Sequence, residues 1–343
     1  MPMTRKFKNW MMELRAPFLT ATLVSILLGT VIAWVRDGAF NPAYFLLALI
    51  GGACAHLGTN VANDYFDHKS GNDEINKEFV RPFSGGSRTI QLGLLKPKEV
   101  LLGSVLLFAT ATSIGLYLTV ATGPLILVFI AVGLISGFFY TAPPFNWVRH
   151  GVGELLVGLN FGALMTIGAY YVQARALAVE PLVASIPVSL LIAAVLYINE
   201  FPDYAADKAV GKNTLVVRLG RARAAYGYAL IVSSVYVIVL SAALAGISPL
   251  YVLLALLPLP LALESIRHAF RFHSKSENLV PTNAMTIVLH LITSLLLSFG
   301  YLMSRFEVVS LGYFVTLLAI MACVLFTARS FMQIRKARIL MPA

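Results

Sequence analysis

Ten long stretches of predominantly apolar residues run along the sequence, and each is long enough to cross a lipid bilayer as a helix, which takes about 20 residues. Only 12% of the residues are charged, whereas soluble domains carry about 25%. Inside a bilayer every backbone N–H and C=O must be paired within the protein, and a helix achieves this pairing by itself. We therefore predict an all-α, polytopic transmembrane helical bundle. The predicted spans are residues 16–35, 42–62, 100–119, 124–141, 151–172, 181–200, 224–246, 249–265, 284–303 and 309–328.

The Lys and Arg residues are distributed unevenly between the loops. If the N-terminus is cytoplasmic, only Arg36, Arg175 and Arg305 fall in the outer loops, and the other 23 of the 26 basic residues lie inside. This bias follows the positive-inside rule, so we interpret the net charge of +10 as a topology signal rather than as a sign of nucleic-acid binding. An even number of spans returns the C-terminus to the same side. The sequence therefore predicts an integral inner or plasma membrane protein with both termini in the cytoplasm.

The two cysteines and the N-terminal segment add little to this classification. Cys54 and Cys323 lie inside apolar stretches, with no second Cys or His at metal-ligand spacing, so we expect neither a disulfide framework nor a zinc site. The basic segment 5–15, which contains Trp10, is typical of a short helix that lies at the membrane interface and acts as an anchor.

Half of the sixteen acidic residues lie in two short stretches that begin where predicted spans 2 and 6 end. Each stretch opens with Asn and leads into a long loop, residues 63–99 and 201–223. Four spans separate the two stretches, so both emerge on the same face, whereas inverted transporter repeats contain an odd number of spans. The acids are Asp64, Asp67, Asp73, Glu74 and Glu78 in the first stretch and Glu200, Asp203 and Asp207 in the second.

The spacing within both stretches favours a divalent-cation site. On a helix, residues four apart lie on one face, which aligns Asn63 with Asp67 and also aligns Asn199, Asp203 and Asp207. Like charges aligned in this way repel each other, and a cation removes that repulsion. Carboxylate and amide oxygens suit Mg²⁺ better than Zn²⁺. Either stretch alone also fits an ordinary hydrophilic loop, but two stretches with the same spacing, each at the end of a span, favour a shared functional site.

Basic residues accompany the acids and predict a diphosphate-binding site. Proteins commonly bind diphosphates with Mg²⁺ together with Lys and Arg side chains. Each basic loop residue also fits a role as an orientation determinant alone, and we favour Arg88 and Lys212 as ligands. The candidate diphosphate-binding residues are Lys77, Arg81, Arg88, Lys208 and Lys212.

The motifs that begin at Asn63 and at Asn199 resemble the paired aspartate motifs of the UbiA superfamily of intramembrane prenyltransferases. The detail is most similar to the branch that prenylates 1,4-dihydroxy-2-naphthoate in menaquinone synthesis, because Gly71 follows Asp67 by four residues and the next acid is Asp73. Further segments that resemble the family are residues 15–17, 87–97, 140–144, 151–154 and 211–220, with Asn283 and His290 as fainter matches.

The resemblance implies an enzyme that moves a polyprenyl chain from its allylic diphosphate to an aromatic acceptor within the lipid bilayer. It implies two Mg²⁺ ions, which assist ionisation of the diphosphate; the electron-rich ring then attacks the allylic cation, and a dihydroxynaphthoate loses CO₂. The implied metal ligands are Asn63, Asp64, Asp67, Asp73, Asn199, Asp203 and Asp207. The implied catalytic residues are Asp67, Asp203, Asp207, Tyr140 and Glu154.

Tyr140 and Glu154 each have an alternative interpretation. The ring of Tyr140 is suited to stabilise the cation by a cation–π contact, but interfacial tyrosines are also common in membrane proteins. Glu154 is either a residue that positions the acceptor or an interfacial acid.

Two features depart from the family pattern. The family norm is nine spans, so we predict a prenyltransferase domain at residues 1–305 and an accessory helix with a basic tail at residues 306–343. Pro202 lies inside the second motif. Because proline lacks an N–H, we expect the helix to break or kink there and to leave Asp203 on a loop.

Other functions remain as alternatives. A UbiA-type enzyme can use 4-hydroxybenzoate, homogentisate or a glycerol-phosphate lipid as its acceptor instead. A CDP-alcohol phosphotransferase requires an Asp-Gly-x₂-Ala-Arg stretch, and Asp37-Gly38 does not lead into one. An ion-coupled transporter requires ionisable groups near the bilayer midplane, whereas these acids lie at the ends of the spans.

Overall fold

The computed structural model describes residues 3–306, and within this range the chain is helical with no β-strand. Short 3₁₀ or π segments at Ala16–Leu19, Trp147–His150, Leu159–Leu164, Leu250–Leu256 and Ser276–Leu279 join or extend the α-helices. In chain order the α-helices are α1 (Met3–Glu13), α2 (Thr20–Asp37), α3 (Pro42–Ser70), α4 (Asn72–Ile75), α5 (Pro97–Thr122), α6 (Leu125–Phe138), α7 (Gly153–Gly158), α8 (Met165–Ala174), α9 (Val179–Ala209), α10 (Leu215–Leu219), α11 (Arg221–Leu244), α12 (Leu259–Phe272) and α13 (Val280–Phe306).

Nine apolar helical segments correspond to the first nine predicted spans. Eight of them are long and apolar enough to cross a membrane, and α6 is shorter but equally apolar. This confirms the prediction of an all-α transmembrane bundle. The predicted tenth span at 309–328 and the rest of the predicted accessory region lie outside the described residues.

Helix α1 confirms that the N-terminal segment is helical, and it is held against the end of the bundle. The ring of Trp10 lies so close to Gly103 of α5 that a Cβ there would approach the ring to 2.4 Å. Asn9 donates from Nδ2 to the carbonyl of Leu94 at 3.1 Å, and the ammonium of Lys6 pairs with Glu99 at 2.8 Å. These contacts fix α1 on the segment that leads into α5.

Helices α3 and α9 extend beyond the predicted membrane spans. Helix α3 continues to Ser70 and α9 to Ala209, so the two aspartate motifs lie on helix ends and the loops begin later than residues 63 and 201. Gly71 ends α3 in the left-handed conformation (φ 76°), which glycine adopts without a steric penalty. The helical geometry therefore applies to Asn63 and Asp67, as their spacing predicts.

The expected break at Pro202 does not occur, and the prediction that Asp203 lies on a loop is wrong. Helix α9 is continuous through Pro202. Proline leaves the carbonyl of Ile198 without its usual helical donor, and the side-chain amide of Asn283 on α13 donates to that carbonyl at 3.3 Å. Neighbouring helices commonly replace the missing bond in this way when proline lies in a transmembrane helix.

The packing of the helices brings the ends of α3 and α9 to the same face. Helix α3 packs against α5, whereas α9 packs against α11 and α13. A buried apolar cluster around Tyr197, Phe201 and Tyr228 joins α9 to α11. Asn72, just after α3, donates to the carboxylate of Asp207 on α9 at 3.0 Å, which confirms that both motifs emerge on one side of the bundle.

Candidate active site

A cavity opens where α3 and α9 end, and residues from both aspartate motifs line it. Together with its mouth it encloses about 1110 Å³. Its wall includes most of the predicted site residues together with apolar side chains deeper in the bundle. The polar lining includes Arg15, Asn63, Asp67, Asn72, Asp73, Asn76, Tyr140, Asn199, Glu200, Asp203, Asp207 and Lys212.

The first motif divides its residues between two sides of α3. Asn63 and Asp67 face the cavity, and Nδ2 of Asn63 donates to Asp67 at 3.1 Å, as expected for residues one turn apart. Asp64 lies outside the cavity wall, where it forms an ion pair with Arg15 and accepts a bond from the backbone N–H of Ser87 at 2.9 Å. In this arrangement Asp64 holds Arg15 and the Gly85–Ser87 turn in place.

Asp73 is buried on the short helix α4. Its carboxylate accepts a hydrogen bond from Nε2 of Gln91 at 3.1 Å. Burial, followed by the negative charges of Asp67 and Asp64, raises the pKa of Asp73 to about 8. A cation bound in the cavity would favour the charged form of this carboxyl group.

The second motif is held by two asparagines that the sequence analysis did not select. Asn76 donates to Asp203 at 2.6 Å, and Asn72 donates to Asp207 at 3.0 Å. Both asparagines follow α3. They are four positions apart in the sequence, with Asp73 between them. That spacing was the only signal in the sequence, since the partners lie more than 120 residues further along the chain.

Lys212 connects the two motifs. Its ammonium lies 3.3 Å from Asp67 of α3 and 3.6 Å from Asp207 of α9. Burial opposes the positive charge, but the attraction of Asp207 and Asp67 outweighs it, so the pKa of Lys212 is raised well above its ordinary value. Lys212 is therefore a permanently charged group between carboxylates from both halves of the chain.

The other predicted diphosphate-binding residues do not line this cavity. Arg88 donates to the backbone carbonyls of Asp73 and Asn76, and its guanidinium lies 4.2 Å from the ring centroid of Phe79. Lys77, Arg81 and Lys208 are exposed on the surface around the mouth. The cavity contains Arg15 instead, which the sequence analysis noted only as a family match.

Tyr140 and Glu154 have different positions relative to the cavity. Tyr140 is on its wall, and burial together with the negative charge of Glu200 raises the pKa of the phenol, which therefore stays protonated. Glu154 is buried outside the wall and accepts a bond from the backbone N–H of Leu215 at 2.8 Å. In this position Glu154 anchors the start of α10, just after Lys212.

An apolar groove adjoins the cavity and lies between α2, α3, α5, α6 and α8. It encloses about 910 Å³ and meets the cavity at Thr59 and Phe161, which line both. Glycines of several helices line its walls, and because glycine has no side chain, space for the groove remains between these helices. The glycines are Gly51, Gly52, Gly115, Gly133, Gly137 and Gly168. The site therefore has a polar end and a long apolar extension.

The residues of the cavity fit a Mg²⁺–diphosphate complex. Within residues 3–306 no three His, Cys, Asp or Glu side chains converge to enclose a metal ion by themselves. Mg²⁺ does not require such an enclosure, because it usually takes one or two carboxylates and completes its six ligands with water and phosphate oxygens. Asp67 and Asp203 provide hard oxygens of this kind, and Lys212 and Arg15 provide the accompanying cations.

Comparison with known proteins identifies the family of this chain. The model of the UbiA prenyltransferase family matches residues 22–281, a range that includes both aspartate motifs. The 2-carboxy-1,4-naphthoquinone phytyltransferase of Synechocystis sp. is 27% identical over 300 residues, which cover 88% of this chain and 94% of the relative. The 1,4-dihydroxy-2-naphthoate octaprenyltransferase of Escherichia coli is 30% identical over 304 residues, which cover 86% of this chain and 96% of the relative.

Solved structures show the same fold. A UbiA homologue from Archaeoglobus fulgidus aligns with a TM-score of 0.58 at 15% identity, covering 88% of this chain and 100% of that chain. The structure of a UbiA homologue from the same organism bound to DMAPP and Mg²⁺ aligns with a TM-score of 0.55 at 14% identity, covering 84% and 99%. The family match extends over most of the described residues, and the chain therefore belongs to the UbiA prenyltransferase family.

Proposed function

We propose that this prenyltransferase transfers a polyprenyl group from an allylic diphosphate to 1,4-dihydroxy-2-naphthoate. The acceptor is supported by the relatives in Synechocystis sp. and Escherichia coli, and by a third from Bacillus subtilis that is 25% identical over 289 residues. The names of all three indicate a naphthalene ring with a carboxyl group at position 2 as the acceptor. The motif detail around Gly71 and Asp73 supports the same branch.

One observation carries the donor assignment: the polar cavity and the apolar groove are neighbours that share two wall residues. Thr59 and Phe161 belong to both, so a ligand with a diphosphate head and a long hydrocarbon tail fits across the junction. Because the tail already lies among lipid chains, close packing against the apolar wall of the groove, rather than removal from water, would hold it there. The geometry thus matches an amphiphile rather than a small polar substrate.

Asp67 and Asp203, with the amide oxygens of Asn63 and Asn199, would hold Mg²⁺, and Asp73 lies beside them. When bound, the metal neutralises charge on the departing diphosphate as a Lewis acid. Because the carboxylates come from two helix ends, we propose two ions, one associated with each motif. Structures of UbiA homologues bound to an isoprenyl diphosphate and Mg²⁺ support magnesium as the metal.

Side chains of this protein would stabilise the leaving diphosphate and the allylic cation. Lys212 and Arg15 place positive charge near the leaving diphosphate, and such fixed charges need no reorganisation as charge develops. The apolar groove keeps water away from the allylic cation, and the ring of Tyr140 offers a π face to it. The acceptor carbon that bears the carboxylate then attacks C1 of the polyprenyl chain. Loss of CO₂ returns the electron pair to the ring, so the products are a prenylated naphthalenediol, CO₂ and diphosphate.

We further propose that the cavity faces the cytoplasm of an inner or plasma membrane. The distribution of basic residues supports this orientation. Both substrates in this proposal are anionic at one end, and a polyprenyl diphosphate presents its head at the membrane surface while its tail lies in the lipid.

The acceptor assignment is tested by direct competition. Purified protein in nanodiscs receives one polyprenyl diphosphate, Mg²⁺ and equal concentrations of 1,4-dihydroxy-2-naphthoate and 4-hydroxybenzoate, and mass spectrometry quantifies the products. We expect the naphthoate product, with CO₂ lost, to dominate by at least tenfold, about 1.4 kcal/mol in transition-state free energy. Asp67→Asn and excess chelator serve as inactive controls.

The competition has outcomes that separate acceptor from mechanism. A tenfold preference for 4-hydroxybenzoate, homogentisate or a glycerol-phosphate lipid would refute the acceptor and leave prenyl transfer intact. Undiminished transfer in excess chelator would refute the role of Mg²⁺.

A further inference from the structure

Pro202 creates a defect inside the second aspartate motif. It lies between Asn199 and Asp203 on α9, and because it has no N–H, the carbonyl of Ile198 lacks the donor that residue i+4 normally supplies. Helix α9 nevertheless continues to Ala209. A buried carbonyl at this depth needs another donor.

Asn283 of α13 supplies that donor and also binds the first residue of the motif. Its side-chain nitrogen lies 3.3 Å from the carbonyl oxygen of Ile198 and 2.6 Å from Oδ1 of Asn199. Asn283 is fully buried, and the reverse orientation of its amide would place an oxygen against two acceptors, so the chemistry fixes which atom points to α9. One amide group therefore closes the gap and restrains the side chain of Asn199.

We infer that Asn283 is a positioning residue for the metal site: it fixes the side-chain conformation of Asn199, which lines the cavity. This inference rests on the proposed function, because it requires Asn199 to ligate Mg²⁺. An amide oxygen has two lone pairs, so Oδ1 of Asn199 can accept the bond from Asn283 and still bind a cation. Groups that orient metal ligands in this way typically change metal affinity by 10- to 100-fold when they are removed.

Because Pro202 causes the missing backbone bond, replacing it can separate the two roles of Asn283, which are to satisfy the carbonyl of Ile198 and to restrain Asn199. If Asn283 served only to satisfy Ile198, any residue with an N–H at position 202 would make it dispensable. If Asn283 orients Asn199, restoring the backbone donor would repair the helix but leave the metal ligand unrestrained. Pro202→Ala therefore distinguishes the two roles.

The experiment compares Asn283→Leu, Pro202→Ala and the double variant with the wild type. Thermal unfolding in detergent is followed during titration with MgCl₂ in the presence of inorganic pyrophosphate, and prenyl transfer is measured against Mg²⁺ concentration. Thr286→Val is the matched control, because Thr286 is a buried polar residue one turn along α13 that bonds to Tyr228 rather than to α9.

We expect Asn283→Leu to weaken the apparent Mg²⁺ affinity by 10- to 100-fold, and Thr286→Val to change it by less than about twofold. In the double variant the unfolding temperature should return toward that of Pro202→Ala, whereas the Mg²⁺ affinity should remain weak. The double variant also carries the test if Asn283→Leu alone does not fold, because its Ile198 carbonyl regains a donor.

Two results would overturn the inference while the proposed function stands: wild-type Mg²⁺ affinity in Asn283→Leu, or its recovery in the double variant. Transfer by the wild type that does not depend on Mg²⁺ would instead remove the proposed metal mechanism, and this inference with it.

Discussion

Lys208 and Lys212 show how two similar residues differ once the chain is folded. Both follow aspartates of the second motif and are candidates for binding a diphosphate, and the sequence analysis favoured Lys212 of the two. In the structure the side chain of Lys212 is largely enclosed between Asp67 and Asp207. Lys208 is exposed, with its ammonium 5.9 Å from the ring centroid of Tyr204. Position relative to the cavity, rather than charge, therefore decides which of the two lysines can contact a diphosphate bound there.

We predict that Lys212→Met lowers kcat/KM for the polyprenyl diphosphate by 10- to 100-fold, while Lys208→Met changes it by less than about threefold. A hydrogen bond to a charged group contributes about 1.5–3 kcal/mol, which corresponds to that range of rates. Steady-state kinetics of both variants, with thermal unfolding as a check on folding, provide the measurement. Equal losses in the two variants would show that the cavity does not select Lys212.

At the level of the elements, close helix contacts depend on individual glycines. Helix α2 approaches α8 at Gly29, where an added Cβ would come within 2.0 Å of the carbonyl oxygen of Thr166. The contact is with backbone, which cannot rotate away as a side chain can. Gly133 of α6 offers the opposite case, because no atom lies within 4 Å of a Cβ built there.

We predict that Gly29→Ala destabilises the protein by about 1–3 kcal/mol, because α2 must move away from α8 and overpacked contacts of this kind carry such a cost. Gly133→Ala should be neutral or slightly stabilising, since alanine favours a helix over glycine by up to about 1 kcal/mol. Thermal unfolding of both variants in the same detergent measures the difference. A Gly29→Ala protein as stable as Gly133→Ala would contradict the close approach of α2 and α8.

At the level of the whole molecule, the charge distribution and the helical bundle together predict how the protein is oriented in the membrane. The structure places both aspartate motifs on one face, and the distribution of basic residues predicts that this face is cytoplasmic. The turn at 175–178 between α8 and α9 lies at the opposite end of α9. Residues at the two faces should therefore differ in access to reagents that cannot cross a membrane.

We predict that a cysteine at Lys77 is protected from an impermeant thiol reagent added to intact cells, whereas one at Ala176 is labelled. Both positions are exposed, and Cys54 and Cys323 are first replaced so that only the introduced thiol reacts. After permeabilisation both positions should react, which confirms that the Lys77 site is accessible. Labelling of the cysteine at position 77 in intact cells would reverse the proposed topology.

The sequence by itself determined the class of fold and the family. Apolar length is a local property, so nine of the ten predicted spans could be located and compared with the structure. The spacing of Asn63 and Asp67 is also local, and helical geometry converts it directly into a shared face. The resemblance of the motifs identified the family, which the family match at residues 22–281 confirms.

Tertiary structure alone decided which residues meet. Lys212 reaches Asp67 across 145 residues, Asn72 reaches Asp207 across 135, and Asn283 reaches Asn199 across 84. No periodic pattern encodes such pairs, because they depend on how whole helices pack and where each one ends. The same reason explains Pro202, whose local preference for a break is overcome by a donor on another helix. It also explains the apolar groove, which exists only once five helices have packed together.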